Sequence, residues 1–188
     1  MPARRTFLKT AALSIVGSAL PLGVVARQVL STPITVVYEN GIAESVAFKD
    51  ALKYRASAIH ALHQDPAETF RELARVRQPG AVVLGCSKGA AAFVLGELAR
   101  EQGGRMQIYA EHRYLPGKVV QHTLRLADSG IERSGPADNW GRTIAGSLGS
   151  ELPPATVEDY RVIKTATSRP VNSPGYLVTW AILPEILK

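Results

Sequence analysis

The stretch Gly80-Ala81-Val82-Val83-Leu84-Gly85-Cys86-Ser87-Lys88-Gly89 decides the fold of this chain. Its first half is a short apolar run without alternation, which is typical of a strand covered on both faces, as in a parallel sheet. The residues that follow, 90–102, are rich in alanine and end at a double glycine, which favours a helix. The apolar positions at helical spacing in that helix are Phe93, Leu95 and Leu98. Strand, glycine turn and helix together predict the ligand-facing edge of an open α/β sheet.

The same alternation of strand and helix runs through the residues on either side. Three strand–helix units joined by short turns predict a parallel, right-handed sheet with helices on both faces. We therefore predict a single three-layer α/β domain with a mainly parallel sheet in the order 2-1-3-4, which resembles flavodoxin-like and Rossmann-like folds. The predicted strands are 34–38, 57–62, 81–84 and 106–110, and the predicted helices are 43–54, 66–77 and 90–102.

The pattern changes after Glu111. Residues 118–126 alternate in hydropathy and predict a longer strand, 137–149 predict a short helix, and 161–165 and 176–183 predict two further strands. We expect these strands to extend the sheet as antiparallel edge strands. The region is too short and too poor in helix to form a core of its own, so residues 27–188 are predicted to be one domain.

The first 26 residues predict a targeting segment. Arg4-Arg5-Thr6-Phe7-Leu8-Lys9 resembles the twin-arginine (Tat) export signal, and an apolar stretch over 11–26 follows it. That stretch is interrupted by glycine and proline and is short for a membrane span, which needs about 20 apolar residues. Val24-Val25-Ala26 provides small residues where a signal peptidase cuts. We therefore predict a signal peptide over 1–26.

The resemblance implies a periplasmic protein whose partner during export is the twin-arginine translocation machinery. Substrates of that machinery are exported already folded, often with a cofactor or a partner protein loaded beforehand. The residues identify no cofactor, and contact with the membrane is expected only through the signal segment. Cys86 is the single cysteine of the chain, so an intramolecular disulfide is excluded.

Composition and charge narrow the function classes. The 188 residues, 46% of them hydrophobic, suffice for one domain with a sizeable core. Of the 22 basic residues, three lie in the signal segment, which leaves 19 against 16 acidic ones. Lysine and arginine are scattered and form no stripe interleaved with aromatic residues, so the sequence does not favour nucleic-acid binding.

Candidate binding residues follow from the expected topology. Ligands of an open parallel sheet bind beyond the carboxyl ends of the strands. Exposed amides at a helix N-terminus carry partial positive charge, so the turn before helix 90–102 is a candidate anion site. The predicted ligand-binding residues at these strand ends are Glu39, Asn40, Ser87, Lys88, Gly89, Glu111 and His112.

The turn Gly85-Cys86-Ser87-Lys88-Gly89 also fits the G-x-S-x-G nucleophile elbow. This alternative makes Ser87 the nucleophile, or Cys86 if its neighbour Lys88 lowers the thiol pKa, with His112 as the base. Against it, no histidine follows residue 122, where an α/β-hydrolase would place its base, and no HGGG-type loop precedes the turn. A purely structural glycine turn is the third interpretation.

The sequence gives little support for two other kinds of site, a metal site and a flavin site. His112 and His122 would approach each other if the chain folds back at Pro116-Gly117, but two histidines and a glutamate are weak grounds for a metal site, and we predict none. A flavodoxin-type flavin site is not indicated, because its phosphate loop is replaced by Glu39-Asn40-Gly41.

We predict a non-enzymatic, exported small-ligand-binding or accessory protein with its site at the strand ends; the alternative is a small hydrolase or transferase.

Overall fold

A computed structural model describes residues 32–76, 78–125, 140–150 and 161–184 of the chain. The predicted signal segment 1–26 and the first three residues of the predicted helix 137–149 lie outside the described residues. Within the described part, seven strands form one sheet and four helices cover it. The strands are β1 (Ile34–Tyr38), β2 (Ala58–Ala61), β3 (Val82–Ser87), β4 (Arg105–Leu115), β5 (Val119–Leu124), β6 (Arg161–Ala166) and β7 (Tyr176–Leu183), and the helices are α1 (Ala43–Leu52), α2 (Pro66–Val76), α3 (Gly89–Glu101) and α4 (Trp140–Ser150).

The first half of the sheet confirms the predicted order. Strand β1 pairs in parallel with β2 on one side and with β3 on the other, which gives 2-1-3. In this register Val36 lies between Ile59 and Leu84. Helices α1 and α2 make the two crossovers, as expected for parallel strands joined through a helix.

The second half differs from the prediction in one important respect. The full order is β2-β1-β3-β7-β4-β5-β6, so the last strand lies between β3 and β4 and runs antiparallel to both. The predicted order 2-1-3-4 is therefore matched only in part, because β7 separates β3 from β4. The predictions of a mainly parallel sheet and of a final strand at the edge were wrong, since four of the six strand pairs are antiparallel. Six of the eight residues of β7 are buried, because its apolar run suits a strand covered on both faces, which an edge does not provide.

The strands predicted from residues 118–126 and 161–165 extend the sheet beyond β4 as antiparallel strands, and β6 forms its edge. Strand β4 continues to Leu115 and turns back through Gly117 and Lys118, both in the left-handed backbone region, into β5. Strand β5 alternates between buried and half-buried residues, and β6 pairs along its other side. This alternation is typical of a sheet that is covered on one face only.

Helices cover both faces of the sheet and create two separate cores. On the first face, α1 and α4 pack together over Val36, Leu84 and Val120, and we call this the α1/α4 face. On the second, α2 and α3 pack together over Val83 and Trp180, and we call this the α2/α3 face. No helix among the described residues is long and apolar enough to span a membrane.

Candidate functional site

The carboxyl ends of β1 and β3 bring Glu39 and Lys88 together. The ammonium of Lys88 lies 2.6 Å from Oε1 of Glu39, and the backbone amide of Lys88 donates a 3.1 Å hydrogen bond to Oε2. The carboxylate therefore lies at the N-terminus of α3, the position where an external anion was expected to bind. The anion at this helix terminus is supplied by the chain itself. Asn40, also predicted to bind ligand, is exposed in the adjoining turn.

Ser87 lies inside β3 rather than on an exposed turn. Its side chain is fully buried, accepts a 3.0 Å hydrogen bond from Nε1 of Trp180 and donates to the carbonyl of Lys88 at 3.2 Å. The strand continues through Ser87 because Ser87 still pairs with Val178 of β7. A nucleophile elbow needs its serine exposed at the end of the strand, and this serine is enclosed.

Cys86 points to the opposite face from Ser87 and is also fully buried. Burial raises the pKa of its thiol to about 12, against the opposing effect of a hydrogen bond with Thr179, while the nearby carboxylates of Glu44 and Glu39 raise it further. The alternative with Cys86 as the nucleophile required Lys88 to lower this pKa, and the pKa is raised instead. Lys88 is engaged by Glu39 at the helix terminus, and a buried thiol stays protonated.

His112 belongs to a polar row on the α1/α4 face. We define the polar row as Cys86, Thr179, His112, His122 and Thr165, one residue from each of five adjacent strands. Nε2 of His112 lies 2.9 Å from Oγ1 of Thr179, Nδ1 of His112 lies 2.8 Å from Nδ1 of His122, and Nε2 of His122 lies 3.1 Å from Oγ1 of Thr165. All four ring nitrogens are therefore hydrogen-bonded.

The polar row is held neutral. Burial, and then the positive charge that His122 would carry, lowers the pKa of His112 well below 6.5, and burial lowers the pKa of His122 to about 4. One imidazole donates its Nδ1 proton and the other accepts it, so the accepting ring must be uncharged; burial keeps the donating ring uncharged as well. The indole of Trp140, from α4, stacks on His112 with ring centres 3.9 Å apart and covers this part of the polar row.

A base held in this way does not reach either proposed nucleophile. His112 lies under Trp140 on the α1/α4 face, whereas Ser87 bonds to Trp180 on the other. Cys86 shares the face with His112, but Thr179 lies between them in the row. Among the described residues, no three histidine, cysteine, aspartate or glutamate side chains converge as metal ligands.

Glu44 is a buried carboxylate that the sequence pattern did not single out. Its Oε1 accepts a 2.7 Å hydrogen bond from the hydroxyl of Tyr114, which in turn accepts one from Nε1 of Trp140 at 3.1 Å. Its Oε2 is buried and has no hydrogen-bond partner among the residues that the structure describes. Glu44 lies in the first turn of an otherwise amphipathic helix, and only the approach of β4 and α4 reveals that it is enclosed.

Glu111 and Gly89 meet around Tyr176 on the α2/α3 face. A Cβ at Gly89 would lie 2.8 Å from the ring of Tyr176, so the glycine allows this ring to lie against the start of α3. Burial and the negative charge of Glu111 raise the pKa of Tyr176, and the guanidinium of Arg113 lies 5.7 Å from its ring centre. Glu111 lies within β4, not at its end, because the strand continues to Leu115.

An open groove of about 550 Å³ begins at this tyrosine and follows the side of α3. We call it the α3 groove. Small residues of α3 line its wall, Met106, Ile108 and Val178 line the sheet side, and Phe93 stands at the helix side with 70% of its surface exposed. The lining residues are Gly89, Ala92, Phe93, Gly96, Glu97, Arg100, Gly104, Arg105, Met106, Ile108, Tyr176 and Val178.

The groove contains only one of the predicted binding residues, Gly89. Phe93 was one of the apolar positions at helical spacing, but the buried positions of α3 are Ala92, Leu95 and Ala99. The sequence did contain a sign of the groove, because Gly89, Ala92 and Gly96 form a small-residue stripe on the side of the helix that approaches the sheet.

Comparison of the chain with protein-family models, curated proteins and solved structures finds no match.

Proposed function

We propose that the protein binds a small, predominantly apolar molecule in the α3 groove and catalyses no reaction on it. The observation that carries this proposal is the groove itself. Its volume lies within the roughly 300–1,000 Å³ that is usual for ligand pockets, and its lining is mostly apolar with a few charged groups at the ends. Phe93, an aromatic residue 70% exposed beside this lining, offers a ring against which an organic ligand can pack.

The chemistry of the candidate nucleophiles supports binding over catalysis. Ser87 is enclosed and hydrogen-bonded to Trp180, and the thiol of Cys86 is buried and protonated. Neither side chain lines the groove. The groove starts at Gly89, directly after β3, so this proposal keeps the ligand close to the strand end where it was expected.

We also propose that the protein is exported to the periplasm by the twin-arginine machinery. This rests on Arg4-Arg5-Thr6-Phe7-Leu8-Lys9 and the apolar residues after it. Replacing Arg4 and Arg5 together by lysine keeps the charge and should retain the protein in the cytoplasm of a Tat-competent bacterium. Immunoblots of separated compartments measure this, and equal periplasmic amounts of variant and parent would contradict it.

The binding proposal is tested with N-phenylnaphthylamine, an uncharged probe whose fluorescence rises in apolar surroundings. We expect saturable binding to the full chain and its loss in Ile108→Trp, which fills the groove from the sheet side. Tryptophan suits a strand, so the variant should fold.

The matched control is Val162→Trp, which adds the same side chain on the edge strand β6, where Val162 is exposed and outside the groove. The control should bind the probe as the parent does. If circular dichroism shows that both variants are folded and Ile108→Trp still binds the probe as the parent does, the probe binds outside the α3 groove.

A further inference from the structure

Two aromatic side chains and a thioether line one face of α3 inside the groove. Gly89, Phe93 and Gly96 are spaced at i, i+4 and i+7, which places them on the same side of the helix. The ring of Tyr176 packs on the first of these positions, because a Cβ at Gly89 would lie 2.8 Å from it. The thioether of Met106 packs on the last, since a Cβ at Gly96 would lie 2.9 Å from its sulfur. Along the helix, Phe93 therefore lies between a second aromatic ring and a sulfur atom.

The spacing of these groups suits a flat ring. At about 1.5 Å per residue, Phe93 lies about 6 Å beyond Gly89 and about 4.5 Å before Gly96 along the helix axis. Long helical side chains lean towards the N-terminus, so the ring of Phe93 leans towards the turn on which Tyr176 packs. Aromatic rings interact best with their centres roughly 4.5–7 Å apart, and a thioether sulfur interacts at about 5 Å from a ring. One ring bound beside Phe93 can therefore contact both neighbouring groups.

Phe93 differs from these two neighbours in how it is packed. Tyr176 and Met106 are half-buried against the core of the α2/α3 face, whereas 70% of the surface of Phe93 is exposed. One exposed apolar residue is ordinary on a protein surface. This one borders a cavity whose sheet side is also apolar, so a ligand in the groove would cover it. The ring of Phe93 is therefore available for contact with a ligand.

We propose that the ligand of the α3 groove is an aromatic compound whose planar ring stacks against Phe93, with the ring of Tyr176 and the sulfur of Met106 beside it. This inference rests on the proposed function of the groove. Ile108 and Val178 supply apolar surface on the sheet side. A saturated ring of the same size gains only the burial of apolar area, whereas an aromatic ring also gains the ring and sulfur contacts.

The experiment compares 2-naphthol with decahydro-2-naphthol, which has the same fused carbon skeleton and hydroxyl group without the aromatic rings, by calorimetric titration of the full chain. We expect the parent to bind 2-naphthol about fivefold more tightly, although the saturated compound is the more apolar of the two. In Phe93→Leu the preference should fall to about twofold, because leucine keeps an apolar side chain and suits a helix but removes the ring. Phe93→Tyr keeps the ring and should keep the preference.

The matched control is Tyr54→Leu, which removes another exposed aromatic ring, one that follows α1 and does not line the groove. It should bind both compounds as the parent does. If the parent binds the two compounds equally, or if Phe93→Leu keeps the parental preference, the aromatic inference is overturned while the groove remains a binding site. If both compounds and N-phenylnaphthylamine fail to bind the parent, the proposed function fails and the inference falls with it.

Discussion

The two faces of the sheet use buried polar groups in opposite ways. The α1/α4 face encloses a continuous polar row that crosses five strands, with Trp140 packed on top of it. The α2/α3 face has an apolar core around Trp180, and the buried hydroxyl of Ser87 accepts a hydrogen bond from the indole. Beside α3 that same face is open and forms the groove.

The comparison indicates that one face determines the register of the strands, whereas the other face has a surface that can bind a ligand. Every ring nitrogen of the polar row needs one partner on one particular strand, so a shifted strand register would leave buried groups without hydrogen bonds. The apolar contacts of the other face impose no such condition, and the surface they leave uncovered is free to take a ligand. The candidate site therefore lies on the face without the polar row.

The largest effect is expected for Gly85→Ala on the α2/α3 face. An added Cβ at Gly85 would overlap the indole of Trp180, which is packed on all sides. We expect the free energy of unfolding to fall by about 3 kcal/mol, measured by urea denaturation.

Two further variants sharpen this test. Trp180→Leu in the Gly85→Ala background makes room for the methyl group, so the double variant should lose less than the sum of the two single losses. Gly146→Ala in α4, where a Cβ meets no atom within 4 Å, should be neutral or stabilising. Strictly additive losses in the double variant would show that the indole does not fill the space above Gly85.

Acid should destabilise the protein through the α1/α4 face. Burial lowers the folded-state pKa of His122 from 6.5 to about 4 and holds that of His112 well below 6.5, so the unfolded chain binds more protons below pH 6.5. The stability from this neutral pair is present above that pH and is lost as the pH falls. For His122 alone the loss between pH 7 and pH 5 is about 2 kcal/mol.

Urea denaturation at several pH values measures this loss. The imidazole resonances of the folded protein give an independent reading, since His122 should titrate near pH 4 and His112 well below pH 6.5. A histidine of the pair that titrates near 6.5 in the folded protein would show that water reaches the polar row.

A smaller effect is expected for Ser87→Ala. The indole Nε1–H of Trp180 loses its buried acceptor, which should cost about 1–2 kcal/mol of stability. Binding of N-phenylnaphthylamine should be retained, because Ser87 does not line the groove. Loss of probe binding by the folded Ser87→Ala variant would link Ser87 to the site directly.

Local sequence patterns predicted the helices and strands better than they predicted which strands pair with each other. Strands β1 to β3 and the helices between them follow from hydropathy and glycine positions, and the right-handed crossover rule fixes their order. The apolar run of β7 indicated burial on both faces but did not indicate which two strands it would separate. That choice depends on pairing between residues about 70 to 100 positions apart, which no local pattern contains.

The candidate site was harder to predict for a related reason. Glu111 and His112 are polar and were interpreted as a strand end, but β4 continues because His112 finds its partners on β5 and β7. Glu39 and Lys88 were correctly expected to be neighbours, yet their charges satisfy each other instead of an external anion. In each case a partner distant in sequence determined what the side chain does.

The central position of β7 also constrains how the protein is made. Strands β3 and β4 each depend on residues 176–183 for one whole side of their backbone hydrogen bonds. A ribosome delivers these residues after both of those strands, so the nascent chain holds two unpaired strand edges until residues 176–183 have emerged. A chain that ends before Tyr176 would therefore lose the middle of its sheet rather than its margin.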